Sequence, residues 1–175
     1  QAVSDATATH NCWAWKIGNQ YRFTLGSGPG QILIIGHYDT VWDEGDIPLR
    51  EENGLLYGPG VFDMKGGLAI TLWALKALKH AGVPFNKKVV FLVTSDEEIG
   101  SLHSRTLIEE EAKKSELVLV PESSISTSGA VKTFRKGIGI FRLEVGGKAV
   151  HAGINPWEGV SAIDELVLQL QDLKG

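Results

Sequence analysis

The sequence predicts an α/β fold, a mostly parallel sheet with helices on both faces, followed by the start of a smaller α+β domain. Two observations support this prediction. Up to Val120, apolar strand-like segments alternate with amphipathic helix-like segments, as crossover connections in a parallel sheet require. After Pro121, one segment alternates apolar and polar residues with period two, which is common in half-exposed antiparallel strands.

The first part of the chain is predicted to hold two neighbouring strands and a hairpin. Residues 1–20 are polar and aperiodic, and we expect them to be irregular. Strands are predicted at residues 21–25 and 31–35, on either side of a Gly-rich turn. The stretch 42–60 is predicted to be an exposed loop with a short hairpin at Asn53-Gly54, because Asn-Gly favours tight turns.

A helix followed by a buried strand is predicted next. Apolar residues recur at spacings of three and four over residues 65–80, and Gly82 follows, which indicates a helix and its end. Asp63 is placed to act as the N-cap of this helix. The continuous apolar run at residues 88–94 is typical of a strand that is buried on both faces of a sheet.

Two further helices and two further strands are predicted. A helix is expected at residues 102–113 with Ser101 as its cap, and a strand at 116–120. Residues 138–145 form the half-exposed strand of the period-two pattern. A last helix begins at about residue 158. Its apolar face comprises Val160, Ile163, Val167 and Leu170.

We place a domain boundary between Ser123 and Thr133, in a loop rich in Ser and Thr. Residues 1–125 then form one domain, and residues 130–175 begin a second. One strand and one helix are too little to bury an apolar face. We therefore expect the second domain to be cut short.

The composition is that of a soluble globular protein, with 43% hydrophobic and 22% charged residues. The net charge of −4 and the lack of a basic stripe argue against nucleic acid as a partner. No apolar run is long enough to cross a bilayer, so no membrane association is expected. A single cysteine, Cys12, excludes an internal disulfide. The localisation stays open between cytoplasmic and secreted or periplasmic.

Acidic and imidazole side chains follow the predicted strands and turns. They are His37, Asp39, Asp63, Glu97, Glu98 and Glu122. The carboxyl ends of the strands in an open α/β sheet form one crevice, so we expect these side chains to lie together. Singly, each has an ordinary explanation, as a surface pair, an N-cap or a solvated acidic pair. Jointly, they predict a metal site for hydrolysis, because zinc favours His nitrogen and carboxylate oxygen.

Two of the positions suggest a division of roles. A hydrolytic metal site needs a carboxylate that takes a proton from water without binding the metal. Neighbouring side chains in an extended segment point to opposite sides, so one of Glu97 and Glu98 can face the metal and the other the substrate. Asp39 can point the same way as His37 and accept its second imidazole N–H, which fixes a ligating histidine.

Five segments in this order resemble a known family: GHYDTV, GPGVFDMKGG, SDEEIGS, VPES and RKGIGIFRLEVGGKAVHAG. They are similar to the zinc-dependent exopeptidases and amidohydrolases that include glutamate carboxypeptidase, acetylornithine deacetylase and succinyl-diaminopimelate desuccinylase. The resemblance covers the chain from about Tyr21 to its end, and the last segment is most similar to glutamate carboxypeptidase. It implies a zinc exopeptidase-like catalytic domain, followed by a lid or dimerisation domain.

The resemblance also implies a role for each metal-binding residue, with two zinc ions in each active site. His37 would bind one zinc ion together with Glu122. Glu98 would bind the second, and Asp63 would bridge both. The peptide bond after Asp63 is often cis in this family.

The remaining roles that the resemblance implies concern catalysis. Glu97 would be the general base, and Asp39 would orient the cluster. His151 matches a lid-domain histidine that reaches across to the partner's active site in homodimeric relatives. An ordinary residue of a hairpin is an equally weighted interpretation of His151.

We expect an enzyme that hydrolyses an amide or peptide bond next to a free carboxylate, in a small peptide or an N-acyl amino acid. An N-acyl amino acid deacylase is the first alternative, and a non-catalytic fragment that binds metal or dimerises is the second. The chain is expected to be the amino-terminal portion of its enzyme, and inactive or nearly so by itself. The reason is that His10, His80 and His103 lie in no motif that could supply the second-zinc histidine of relatives.

Overall fold

A computed structural model describes residues 13–174. These residues fall into two compact units, one ending at Val131 and the other beginning at Lys132. The strands of the first unit are β1 (Trp13–Ile17), β2 (Gln20–Leu25), β3 (Gln31–His37), β4 (Arg50–Glu52), β5 (Leu55–Tyr57), β6 (Lys88–Thr94) and β7 (Leu117–Leu119). Its helices are α1 (Gly66–His80) and α2 (Arg105–Lys113), and the second unit contains α3 (Ala162–Lys174).

The main sheet has five strands in the order β1-β2-β6-β3-β7. β3 pairs in parallel with both β6 and β7, whereas β2 pairs antiparallel with β6 and with β1. The predicted α/β class is therefore confirmed, and the sheet is mixed. Two antiparallel strands extend a parallel core of three.

β6 holds the central position because its side chains are apolar on both faces. All six residues from Val89 to Thr94 are buried. A strand of this kind needs a neighbour on each side and a covering layer on each face. The predicted strand at 88–94 is confirmed at both ends.

Helices cover both faces of the sheet, as the sequence predicts. Leu33 belongs to the core cluster on which Leu107 and Ile108 of α2 pack. Gly36 faces the other way, and a Cβ added there would lie 2.4 Å from Leu68 of α1. Since residues of odd and even number in a strand point to opposite faces, α1 and α2 lie on opposite sides of β3.

The prediction that residues 1–20 are irregular is wrong for Trp13–Ile17, and residues 1–12 lie outside the described part of the chain. Trp13–Ile17 form a strand that pairs with β2, so that Ile17 lies opposite Gln20. Gly18 and Asn19 make the two-residue turn between the strands, with Gly18 at φ +60°. A Gly-Asn pair between two strands is a known hairpin signal, and it could have revealed β1.

The strands predicted at residues 21–25 and 31–35 both form, but they are not neighbours. β6 lies between them in the sheet. The Gly-rich turn packs so closely on the segment before β6 that a Cβ at Gly28 would lie 1.9 Å from the Asn86 carbonyl oxygen. Burial of β6 on both faces decides the strand order, which a local turn does not encode.

Neither predicted N-cap occupies the cap position of its helix. α1 follows Lys65, and Asp63 has extended torsion angles, φ −120° and ψ 102°. α2 follows Ser104, and Ser101 lies in the left-handed region at φ +56°.

The hairpin at Asn53-Gly54 forms as predicted, since Arg50–Glu52 pair with Leu55–Tyr57. The strand predicted at 116–120 spans only Leu117–Leu119.

In the second unit, no strand forms at residues 138–145 within the described chain. Ile138, Ile140 and Phe141 are each more than 90% exposed. A strand requires a hydrogen-bonded partner, and the described residues offer this segment none. The last helix begins at Ala162 instead of about residue 158. Residues Pro156–Glu158 form a short 3₁₀ turn before it. No helix among residues 13–174 is long and apolar enough to span a bilayer.

A buried ion pair ties β2 to α2. The Glu111 carboxylate accepts hydrogen bonds from Arg22 at 3.2 and 3.3 Å, and from the Gln31 side-chain amide at 3.0 Å. The Glu111 side chain is only 5% exposed. Burial alone would raise the pKa of Glu111, but the hydrogen bonds from Arg22 and Gln31 outweigh it and hold the pKa below its ordinary value.

We predict that Glu111→Ala lowers the free energy of unfolding by about 3 kcal/mol, because it removes the buried carboxylate that accepts hydrogen bonds from the Arg22 guanidinium and the Gln31 amide. Glu110→Ala, on the exposed side of the same helix, should change it by less than about 0.5 kcal/mol. Chemical denaturation of both variants measures the difference. Equal values for the two would show that the ion pair contributes nothing.

The contribution of Glu111 should depend on pH in a defined direction. Its pKa is lower in the folded chain than its ordinary value of 4.5. The stabilisation is therefore complete above about pH 4.5 and is lost as the pH falls through the lower folded-state pKa. Denaturation of wild type and Glu111→Gln between pH 7 and pH 3 should show the difference in stability shrinking. A difference that grows on acidification would contradict this sign.

Candidate metal centre

The predicted site residues follow the carboxyl ends of three parallel strands. His37 is the last residue of β3 and lies opposite Thr94, the last residue of β6. Glu97 and Glu98 come shortly after β6, and Glu122 comes shortly after β7. Because the three strands run the same way, their carboxyl ends meet at one edge of the sheet.

His37 is the centre of the cluster. Its imidazole is 2% exposed, and its Nδ1 lies 3.1 Å from the carbonyl oxygen of Asp39. Its Nε2 lies 3.2 Å from Asp63 Oδ1 and 3.8 Å from Glu97 Oε2. One ring nitrogen is thus held by the chain just beyond β3, and the other is directed at carboxylates.

Asp63 reaches the imidazole from the segment before α1. Its neighbour Met64 is fully buried, and the backbone N–H of His37 donates to Met64 Sδ at 3.2 Å. The Asp63–Met64 peptide bond is cis, as the family resemblance implies. Asp63 itself stays 63% exposed, so its carboxylate lies at the open side of the site and does not cap α1.

Glu97 and Glu98 are presented by a tight turn. The backbone N–H of Gly100 donates to the Glu97 carbonyl at 2.8 Å, and that of Glu98 donates to Asp39 Oδ2 at 2.9 Å. One potential ligand atom each from His37, Glu97 and Glu98 lies within 4.8 Å of the others. The three side chains therefore face one small space beside which a cation can bind.

The predicted residues divide into three groups by position. His37, Glu97 and Glu98 form the compact cluster, and Asp63 and Asp39 contact His37 directly. Glu122 lies outside the compact cluster, although its charge acts on Glu97. His151 belongs to the second unit, where its Nδ1 accepts the Gly153 N–H at 3.1 Å.

Negative charge accumulates in this site. Burial raises the pKa of Glu97, and the charges of Glu122, Glu98 and Asp63 raise it further, while His37 acts in the opposite direction. Asp39 Oδ1 is buried without a hydrogen-bond partner among the described residues. A converging set of carboxylates around one imidazole is a donor set that suits zinc. The residues present therefore fit a divalent metal ion.

Glu122 follows a close backbone contact between α1 and the segment just after β7. A Cβ added at Gly67, in the first turn of α1, would lie 1.8 Å from the carbonyl oxygen of Pro121. The chain can therefore pass this close to the helix only where a side chain is missing. The sequence analysis gave no reason for Gly66-Gly67 in the first turn of the predicted helix, and this contact supplies one for Gly67.

Two structural residues of the site were not found from the sequence. Asp96 is 3% exposed and accepts the backbone N–H groups of His103 and Ser104 at 2.6 and 3.0 Å. Gln20 is 6% exposed and bonds to Ser95. Asp96 looks like part of a solvated acidic run with Glu97 and Glu98, and only its burial in the folded chain separates it from them.

The fold and the donor set define a class of protein, an α/β domain with a candidate metal centre at the carboxyl edge of its sheet. Comparison with known proteins then gives the family. The model of peptidase family M20/M25/M40 matches residues 33–169, and the chain belongs to this family of metallopeptidases and amidohydrolases. The resemblance drawn from the five sequence segments is thereby confirmed.

Two relatives illustrate the range of the family. Carboxypeptidase G2 of Pseudomonas sp. (strain RS-16) is 39% identical over 154 residues, which cover 85% of this chain and 37% of that protein. An acetylornithine deacetylase of Buchnera aphidicola subsp. Schizaphis graminum is 31% identical over 168 residues, covering 90% of this chain and 42% of that protein. The chain spans less than half the length of either relative.

Solved structures show the same fold at low identity. A tripeptidase from Staphylococcus aureus matches with a TM-score of 0.67 and 20% identity, covering 97% of this chain and 49% of that one. The aminopeptidase PepT from Bacillus cereus matches with a TM-score of 0.64 and 21% identity, covering 93% of this chain and 47% of that one. These likenesses support the zinc exopeptidase-like fold.

We predict that Gly67→Ala lowers the free energy of unfolding by about 2–3 kcal/mol, because the new methyl group would lie 1.8 Å from the backbone oxygen of Pro121. Gly146→Ala is the matched control, since a Cβ at Gly146 meets nothing within 4 Å and its φ is not positive. Thermal and chemical denaturation of both variants test this. A Gly67→Ala variant as stable as the control would show that α1 and Pro121 are not in close contact.

Proposed function

We propose that this chain supplies the metal-binding part of an enzyme that hydrolyses an amide or peptide bond next to a free carboxylate. The observation that carries the proposal is the position of His37 Nε2, within 3.2 Å of Asp63 and 3.8 Å of Glu97 at the carboxyl edge of the sheet. The 39% identity to carboxypeptidase G2 supports the carboxypeptidase type of reaction. The substrate would be a small peptide or an N-acyl amino acid.

We assign the metal ligands as the family resemblance implies, with two zinc ions in the complete site. His37 and Glu122 would hold the first ion, Glu98 would hold the second, and Asp63 would be a ligand of both. The contact between His37 and Asp63 supports a shared ligand position for these two side chains. Asp39 orients His37 through the Nδ1 side of the ring, where its carbonyl oxygen lies 3.1 Å away and its Oδ1 3.5 Å away.

Glu97 is proposed as the general base. When bound, zinc polarises the scissile carbonyl and makes water a better acid. A Glu97 carboxylate oxygen takes a proton from the attacking water and later returns it to the leaving nitrogen. The Glu97 side chain is 46% exposed, so substrate can reach it, while its backbone is held by the turn at Gly100.

The domain roles follow the same family pattern. Residues 1–125 are proposed as part of the catalytic domain, and residues 130–175 as the beginning of a lid and dimerisation domain. In a homodimer, His151 would reach the active site of the partner subunit and stabilise the tetrahedral intermediate. Its exposed position in the second unit supports this role, because the imidazole is available to another chain.

A second candidate reaction is the deacylation of an N-acyl amino acid. The acetylornithine deacetylase that matches over 90% of this chain supports it. The two reactions use the same metal site and differ in the group that is released. Parallel assays on a dipeptide with a carboxyl-terminal glutamate and on N-acetylornithine separate them, since the preferred substrate will have the higher kcat/KM.

We predict that the wild-type chain retains at least one zinc ion after exhaustive dialysis, and that Asp63→Ala loses most of it. Removing Asp63 takes away one ligand and part of the negative charge around His37. Asp172→Ala, on the exposed surface of α3, is the charge-matched control and should retain zinc like the wild type. Metal analysis by mass spectrometry gives the number of ions per chain. A folded wild type without zinc would refute the metal centre.

We also predict that any hydrolysis of an N-acyl glutamate by this chain falls at least about 100-fold in Glu97→Gln, because the amide cannot accept the proton. Zinc content should stay near that of the wild type, since Glu97 is assigned as a base and not as a ligand. Glu110→Gln serves as the control. Turnover that survives Glu97→Gln would assign the base to another residue, and lost zinc would make Glu97 a ligand.

A further inference from the structure

Two buried polar side chains form hydrogen bonds that hold the Glu97–Glu98 turn in place. Gln20 and Asp96 are 6% and 3% exposed. Neither residue belongs to the set of proposed ligands or to the proposed base. Their hydrogen bonds hold the chain on both sides of the turn, at Ser95 and Asp96 before it and at His103 and Ser104 after it.

Gln20 reaches the turn because β2 runs antiparallel to β6. Tyr21 pairs with Val93, so the start of β2 lies beside the end of β6. Gln20 Oε1 accepts the backbone N–H of Ser95 at 2.8 Å. Its Nε2 donates to Ser95 Oγ at 3.2 Å and to Asp96 Oδ1 at 3.5 Å. One buried amide therefore fixes the first two residues beyond β6.

Asp96 closes the other side of the turn. Its Oδ2 accepts the N–H groups of His103 and Ser104, and its carbonyl oxygen accepts that of Ser101 at 2.6 Å. These are the backbone groups just ahead of α2, so Asp96 anchors the chain that returns from the turn. The turn at residues 97–100 is therefore held at both ends, by Gln20 before it and by the backbone just ahead of α2 after it.

The carboxylates of Glu97 and Glu98 have little else to position them. Within residues 13–174, neither carboxylate takes part in a hydrogen bond, and the Glu97 carboxylate lies 3.8 Å from His37 Nε2. Their placement therefore depends on the backbone from which they project. Besides Gln20 and Asp96, that backbone is held by the Glu98 N–H bond to Asp39.

We propose that Gln20 and Asp96 are a positioning pair that sets the Glu97–Glu98 turn for metal binding. The inference rests on the proposed metal-dependent function. Residues that orient metal ligands without touching the metal typically change metal affinity by about 10–100-fold when replaced. Gln20 acts through the turn and contacts no proposed ligand side chain.

The test compares the zinc affinity of two variants, each of which lacks one buried glutamine. Gln20→Leu removes the amide at the carboxyl edge of the sheet. Gln31→Leu removes an equally buried amide, 2% exposed, at the start of β3, where it bonds to Glu111 and Ser115. Both variants should lower the melting temperature. Only Gln20→Leu should weaken zinc binding, by about 10–100-fold. Competition for zinc with a chromophoric chelator measures the affinity of each variant.

A charge-neutral exchange distinguishes positioning from general loss of structure. Gln20→Glu alone places a carboxylate against that of Asp96 and should weaken zinc binding, although it adds a negative charge to the site. Combining it with Asp96→Asn restores one donor and one acceptor across the contact and leaves the net charge unchanged. The double variant should recover most of the affinity, which is a coupling that a double-mutant cycle measures. This comparison also decides the matter where Gln20→Leu fails to fold.

The outcomes separate this inference from the proposed function. A folded wild type that binds no zinc overturns both. Zinc binding that falls equally in Gln20→Leu and Gln31→Leu, or a double variant no better than Gln20→Glu, overturns the positioning pair and leaves the metal centre standing. A visible spectrum of the cobalt(II)-loaded chain that changes in Gln20→Leu but not in Gln31→Leu supports altered ligand geometry.

Discussion

The parallel pairing of β3 with β6 is the interaction on which the rest of this structure depends. Its register places His37 opposite Thr94, so the imidazole and the chain that carries Glu97 and Glu98 leave the sheet side by side. β7 continues the parallel core and delivers Glu122 beyond the same edge. The antiparallel β2 brings its first residue, Gln20, to this edge as well. The two parallel pairings of β3 thus fix the origin of every proposed ligand except Asp63, which comes from the segment before α1.

The site is organised by the backbone more than by its own side chains. Several carboxylates converge on one buried imidazole, and their mutual repulsion contributes to the raised pKa of Glu97. Carboxylates arranged in this way would move apart in a flexible loop. Here the turn beyond β6 is held by N–H bonds to Asp96 and Asp39, and Met64 is buried beneath Asp63. The scaffold opposes the repulsion, and a divalent cation would relieve it.

The strand predicted in the second unit shows that a hydropathy pattern alone does not establish a strand. The alternation at residues 138–145 predicts a strand, and the same residues resemble the lid segment of the family. In the described chain they form no strand, and Ile138 and Ile140 are each 95% exposed. Hydropathy records the face that a segment is suited to bury. Pairing depends on a second segment that supplies the hydrogen bonds.

The sequence by itself determined the α/β class, the buried strand Lys88–Thr94 and the family, because a continuous apolar run and five ordered motifs are local features. It also named the side chains that gather around His37, since each follows a predicted strand or turn. Only the tertiary structure decided the strand order, the extended backbone at Asp63 and the roles of Gln20 and Asp96. These features depend on contacts between segments that are far apart in the sequence. They also depend on the burial of Gln20 and Asp96, which nothing in the local sequence indicates. A local sequence pattern contains no information about contacts between residues that are distant in the sequence.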